Sequence, residues 1–89
     1  MRNIEKSGKF ITQFNGFNKE LQTKVENTIW LLQKDEFPLE LKVHMLQGKL
    51  AGIYSCSVDY SHRIIFRVVT GNNLELIVVW DHNIYKQPI

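Results

Sequence analysis

At Pro38 the hydrophobic rhythm of this chain changes period. Before it, Phe10, Phe14, Phe17, Leu21, Val25, Ile29 and Leu32 recur at intervals of three or four residues, one stripe of a 3.6-residue helix. After it, apolar residues alternate at period two through closely spaced runs. A chain that is helical in its first half and β in its second must bury the helical stripe on one sheet face. That arrangement is a two-layer α+β domain, two N-terminal helices packed on a small antiparallel β-sheet. The 89 residues make one domain, 1–89, because a smaller unit could not bury a useful core.

Asn15 and Gly16 interrupt the helical stripe, and Asn18 reads as an N-cap. The pattern predicts a short helix from about Ser7 to Phe14 and a longer one from about Asn18 to Lys34, with Glu20 and Lys24 as an exposed i,i+4 pair. Phe37-Pro38 ends the second helix, since the residue before proline is pushed out of helical backbone. A brief opening strand near Ile4 is compatible with the sequence. From Ile53 to Tyr60, Tyr54, Cys56, Val58 and Tyr60 fall on one face and Ser55, Ser57 and Asp59 on the other. A turn at Tyr60-Ser61 leads to a second strand, Arg63 to Val69. Gly71-Asn72-Asn73 turns the chain into a third, Leu74 to Trp80. Such short connections favour an antiparallel meander. The expected inward set is Tyr54, Cys56, Val58, Ile64, Phe66, Val68, Leu74, Leu76 and Val78. The opposite face then carries Ser55, Ser57, Asp59, Arg63 and Arg67, polar and partly basic.

Composition narrows the class without naming a function. The chain is 44% hydrophobic and 22% charged, as ordinary globular proteins are. No apolar run approaches the roughly 20 residues a spanning helix needs, so no membrane partner is expected. The opening residues lack the apolar core of a signal peptide, and the single Cys56 cannot form an internal disulfide; both suit a cytoplasmic protein. A net charge of +2 permits nucleic-acid binding but does not require it.

The chemistry-bearing residues sit at the ends of short elements between His44 and Tyr85. His44 stands in a solvent-facing His-Met-Leu-Gln-Gly loop, and its imidazole can exchange protons near neutrality. Arg63 opens a strand that is otherwise mostly apolar, where a guanidinium can hold a phosphate in bidentate fashion. His82 and Tyr85 follow the last strand, and a phenol there could stack on or orient a base. Together these groups meet the needs of RNA cleavage: proton carriers and a fixed cation for a pentacoordinate phosphate. Each also has a plainer account. Arg63 could pair with Asp59 across the hairpin, His44 could pack on Tyr54 or cap a backbone carbonyl, His82 could be a solvated turn residue, and Tyr85 could cap the sheet. Trp80 reads as core or rim. His44, His62 and His82 lack close metal-ligand spacing, so no metal or other cofactor is expected. Cys56 alternates onto the apolar face, where a thiol stays protonated and inert.

Three segments carry a family resemblance: HMLQG at His44 to Gly48, GIYSCSVDYSHRIIFRV at Gly52 to Val68, and ELIVVWDHNIY at Glu75 to Tyr85. In this order and spacing the chain resembles the RelE/ParE superfamily of bacterial toxins and, within it, the YafQ-type RelE toxins. The resemblance implies the toxin of a type II toxin–antitoxin pair, held in check by a cognate antitoxin protein. It further implies an endoribonuclease that cuts mRNA, commonly on the ribosome. By position, His44 matches the YafQ-type loop histidine, His82 the histidine after the last strand, and Arg63 the RelE-type strand-opening arginine. Tyr85 falls near the C-terminal aromatic of the family site. Ser55, Ser57, Arg67 and Lys86 are the expected RNA-binding set. Ser55 and Ser57 stand where RelE has lysines, and Ser57 also where YafQ has a second histidine. Ser61 and His62 replace an acidic residue and a tryptophan of YafQ. His44 and His82 both remain candidates for the general base. A ParE-like inhibitor of DNA gyrase and an inactive antitoxin-binding module are the alternatives.

Overall fold

Two short polar side chains start the helices. A computed structural model of the chain describes residues 1–34, 36–48 and 52–81. In it, Ser7 caps helix α1 (Gly8–Gly16) by accepting the Phe10 N–H, and Asn18 caps helix α2 (Lys19–Leu32) by accepting the Leu21 N–H. Phe17 stands between them in extended backbone. The second helix stops at Leu32, before the Phe37-Pro38 signal, and the chain crosses to the sheet through a 3₁₀ turn at Leu39–Leu41.

Among the described residues the sheet has five strands: β1 (Ile4–Lys6), β2 (His44–Met45), β3 (Ile53–Ser57), β4 (His62–Val68) and β5 (Leu74–Asp81), in the order β1-β5-β4-β3-β2. The expected meander is present, since β3, β4 and β5 pair antiparallel. The sheet as a whole is mixed, which corrects the purely antiparallel reading. β1 lies parallel on β5, with Ile4 opposite Leu74 and Lys6 opposite Leu76. Hairpin turns force antiparallel neighbours, but β1 reaches β5 only through the rest of the chain, so no short turn fixes its direction. At the other edge β2 pairs antiparallel with β3, setting His44 opposite Ser55.

The whole helical stripe packs on one face of this sheet. Phe10, Val25 and Leu32 are buried with Cys56, Ile64, Phe66, Leu74, Leu76 and Val79, and Phe14, Phe17, Leu21 and Ile29 pack against them. Tyr54 stacks on Phe66 with ring centroids 5.7 Å apart. Two inward expectations fail: Val68 is exposed at the strand end, and Val78 gives its core place to Val79. Tyr60, which alternation sets on the face of Cys56, is 91% exposed because β3 ends at Ser57.

The exchange of Val78 for Val79 has a single cause. Ile65 pairs with Val78 and Phe66 with Leu76, so Ile77 is an extra residue in β5. Such a bulge reverses the facing of every side chain beyond it. Leu74 and Leu76 face the helices before the bulge; Val79 and Asp81 do so after it.

Helix α1 takes up the backbone groups that this leaves at the edge of β5, beyond the reach of β1. Ser7 N–H donates to the Leu76 carbonyl at 3.0 Å, and the Ser7 hydroxyl donates to the Ile77 carbonyl at 2.6 Å. The Gln13 side-chain amide donates to the Val79 carbonyl at 3.0 Å and accepts its N–H at 2.8 Å, as a neighbouring strand would. Val79 is only 4% exposed, so its amide has little access to water. Gln13→Ala is therefore expected to cost about 1–3 kcal/mol in urea-unfolding stability, the penalty for orphaned buried polar groups. Ser7→Ala, losing a cap and a bulge bond together, should cost about as much.

Candidate active site

The sheet face turned away from the helices gathers the expected polar set in rows. Residues paired directly across antiparallel strands share a face. His44, Ser55, Ile65 and Val78 form one row, and Ser57, Arg63 and Trp80 form the next, toward the start of β4. Ile53, Arg67 and Glu75 form a row at the far end. With strands about 4.8 Å apart and residues about 3.3 Å apart along each, the His44 and Arg63 Cα atoms are separated by roughly 12 Å. Two long side chains can meet a single phosphodiester across that gap.

His44 belongs to strand β2 and not to a loop, yet it is exposed. Lys42, at φ 51°, turns the chain before it, and the Lys42 carbonyl lies 3.1 Å from His44 Nδ1. A carbonyl only accepts, so Nδ1 carries the proton. In the neutral ring the lone pair is then on Nε2, the outer nitrogen, where a general base needs it.

Arg63 is half-buried and makes no ion pair among the described residues. The Asp59 carboxylate that could have claimed it is engaged elsewhere. Asp59 Oδ1 accepts the backbone N–H groups of Ser61 at 2.9 Å and His62 at 2.8 Å, a turn that aims the carboxylate at the helix side. This corrects the placing of Asp59 on the Arg63 face. Arg67, by contrast, is neutralised: its Nε lies 2.6 Å from Glu75 Oε1, and it stands about 13 Å along β4 from Arg63. One uncommitted and one paired guanidinium thus share the face.

The two serines diverge. Ser57 is half-buried, and its hydroxyl donates to the Asp59 carbonyl at 3.3 Å. Ser55 is 1% exposed and its hydroxyl has no hydrogen-bond partner among the described residues. It is not the solvent-facing contact that strand alternation suggests, because Ser55, Ile65 and Val78 form a second buried patch outside the helix-packed core. His82, Tyr85 and Lys86 lie outside the described residues. β5 ends at Asp81, which pairs with His62 at the start of β4.

One cluster escaped the sequence reading. His62 faces the helices, with Nδ1 3.0 Å from Asp59 Oδ1 and Nε2 3.5 Å from Asp81 Oδ2. Its position in the YafQ-like motif gave no sign of this, since the facing of Asp81 depends on the bulge. Cys56 behaves as expected: fully buried, its thiol is pushed up to about 12 by desolvation, against a smaller lowering by its Ile64 backbone bond and by Arg63.

No family model matches the chain, and no curated protein sequence matches it. Solved structures do. YafQ from Escherichia coli strain BL21(DE3) superposes with a TM-score of 0.75 at 23% identity, covering 94% of this chain and 97% of that one. A YoeB/ParE toxin from Agrobacterium tumefaciens gives 0.76 at 21% identity, over 90% and 98% of the two chains. The E. coli DinJ–YafQ toxin–antitoxin complex gives 0.69 at 22% identity, over 97% and 98%.

Burial raises the Asp59 carboxyl, but hydrogen bonds from the His62 ring and from the His62 and Ser61 amides outweigh it, holding the group below its ordinary 3.8. A carboxylate lowered in the folded state stabilises above its unfolded pKa, and that stabilisation is lost as pH falls through the folded value. Wild type should therefore exceed Asp59→Asn in urea midpoint at neutral pH, and the gap should close below about pH 3.8, the ordinary value. A gap that is constant with pH would contradict this account of the turn. The described chain, in sum, has the fold shared by the YafQ and YoeB/ParE toxins.

Proposed function

We propose that this protein is the toxin of a type II toxin–antitoxin pair, a cytoplasmic endoribonuclease that cuts mRNA, with the ribosome as the setting and a cognate antitoxin as its inhibitor. The observation that carries the reading is the pairing, on one sheet face, of an exposed histidine with Nε2 free for proton transfer and an arginine uncommitted to any carboxylate among the described residues. The toxin fold of the neighbours and the antitoxin complex containing YafQ support it.

In the proposed reaction the ribose 2′-hydroxyl attacks its own phosphodiester. A base removes the 2′ proton as the P–O2′ bond forms. The P–O5′ bond breaks, and an acid returns a proton to O5′, leaving a 2′,3′-cyclic phosphate and a free 5′-hydroxyl. His44 and His82 take the two proton-transfer roles, in either order. Arg63 holds the phosphoryl oxygens as charge builds on the phosphorane. Tyr85 orients the scissile nucleotide, and Ser57 and Lys86 flank the strand. Arg67 contributes less, because Glu75 offsets its charge. Ser55 supports the surface from beneath and does not touch RNA while buried. No resident metal is required by this chemistry.

Induced expression should arrest growth, and co-expression of the neighbouring antitoxin gene should relieve the arrest. His44→Gln and Arg63→Ala should each reduce cleavage of a reporter mRNA about 10²- to 10⁴-fold, the usual contribution of one such group, with far-UV circular dichroism unchanged. Primer extension on cellular transcripts is the deciding measurement. Growth arrest with intact transcripts would reject the ribonuclease and leave the gyrase reading in its place. Purified toxin should also cut in the presence of excess chelator; lost activity restored by a divalent cation would reject the metal-free route.

A further inference from the structure

Lys42 carries the carbonyl that holds the His44 ring, and it does so in left-handed backbone, at φ 51° and ψ 46°. Among the described residues, all the others in that region are glycines. There a Cβ crowds the following carbonyl, so the conformation persists only where its surroundings over-determine it. They do so here from both sides. Leu41 is 3% exposed and belongs to the core, and Val43 packs against the same core. The Leu41 N–H donates to the Pro38 carbonyl at 3.1 Å and the Lys42 N–H to the Leu39 carbonyl at 3.0 Å, closing the 3₁₀ turn. Downstream, β2 is pinned by its pairing with β3, and the Leu46 N–H donates to the Ile53 carbonyl at 2.7 Å. Between two anchored neighbours the chain turns at Lys42, and the turn brings its carbonyl to His44 Nδ1 at 3.1 Å.

Which nitrogen of a neutral imidazole carries the proton is set by the hydrogen bond the ring makes. The Lys42 carbonyl engages Nδ1–H, and this bond both selects the tautomer and fixes the rotation of the ring. A tautomer exists only in the neutral ring, since the imidazolium carries both protons. Selecting one therefore serves a histidine that is neutral when its substrate arrives, which is the state of a base and not of an acid.

We propose that Lys42 is a positioning residue: its left-handed backbone, and not its side chain, holds His44 with the Nε2 lone pair presented to the RNA 2′-hydroxyl. Nε2 takes the 2′ proton as the P–O2′ bond forms, while Nδ1–H stays on the Lys42 carbonyl. The P–O5′ bond breaks, and the proton of the separate acid goes to O5′. The catalytic consequence rests on the ribonuclease reading above, whereas the tautomer does not.

Lys42→Val places a β-branched residue where left-handed backbone is least tolerated, and Lys42→Gly reaches the same φ without strain. At about pH 8, where an ordinary imidazole is neutral, ¹⁵N NMR of the wild type should find the His44 proton on Nδ1. Lys42→Val should move it to Nε2 or to an exchanging mixture, and Lys42→Gly should restore the wild-type shifts. For mRNA cleavage, Lys42→Val should lower kcat about tenfold with KM within about twofold, and Lys42→Gly should recover most of the loss, because misplacement of a reacting group acts on the chemical step. In a His44→Gln background Lys42→Val should lower kcat no further, since two residues acting through one group are not additive. If Lys42→Val fails to fold, Lys42→Ala, less averse to the left-handed region, should give intermediate shifts and kcat. A wild-type ring protonated at Nε2 overturns the tautomer. An unchanged tautomer in Lys42→Val overturns the part given to the left-handed turn. A lost tautomer with kcat intact, or a further loss in the His44→Gln background, overturns the positioning role. Lys42→Gly as slow as Lys42→Val, with the tautomer restored, assigns the effect to the lysine side chain and overturns the backbone claim. A wild type that leaves RNA uncut overturns the ribonuclease reading, and the NMR measurement then decides the tautomer by itself.

Discussion

The extra residue in β5, Ile77, decides what each side of this sheet carries. With it, Val79 joins the helix-packed core and Asp81 turns toward His62, while Val78 and Trp80 face outward beside Ile65 and Arg63. Without it, the same strand would direct Trp80 into the helices and Asp81 onto the Arg63 face. That aspartate would then compete with a phosphate for the guanidinium. A bulge is tolerated only if its displaced backbone groups find partners. Here Ser7 and Gln13 of the α1 region supply them, at a distance of about seventy residues in sequence.

The same economy recurs at the β3–β4 turn. Asp59 accepts two backbone amides to close the hairpin and thereby faces the helices, where it takes a hydrogen bond from His62 and an ion pair from Lys24. One carboxylate shapes the turn and is withheld from Arg63. Among the described residues of the outer face, Arg67 is paired with Glu75 and Arg63 makes no ion pair. The division is electrostatic. A paired guanidinium contributes little to an anionic ligand, whereas an uncommitted one on a half-buried surface contributes strongly.

The candidate site was partly legible. His44 and Arg63 were identifiable by residue type and by their places at the starts of short elements, and the structure sets them on one face. The neutral tautomer of His44 was not legible, because it depends on the left-handed turn at Lys42 that brings a carbonyl to Nδ1. Ser55 was misjudged by alternation, which reports the face of a side chain but not what lies over that face. The His62 cluster left no mark in the local pattern, since its two carboxylates come from a turn and from a strand end whose facing a bulge reverses.

The helix stripe from Phe10 to Leu32, the N-cap at Asn18, the Gly71 turn and the inward Cys56 follow from local rules of period, capping and backbone freedom, and the sequence by itself determined them. Only the tertiary structure decided the parallel seating of β1 on β5, the bulge at Ile77, the partner of Asp59 and the burial of Ser55. Each of these is a choice among partners distant in the chain. Local periodicity specifies which face of a strand is apolar, but the pairing energy that selects register and neighbour exists only once the strands and helices are assembled.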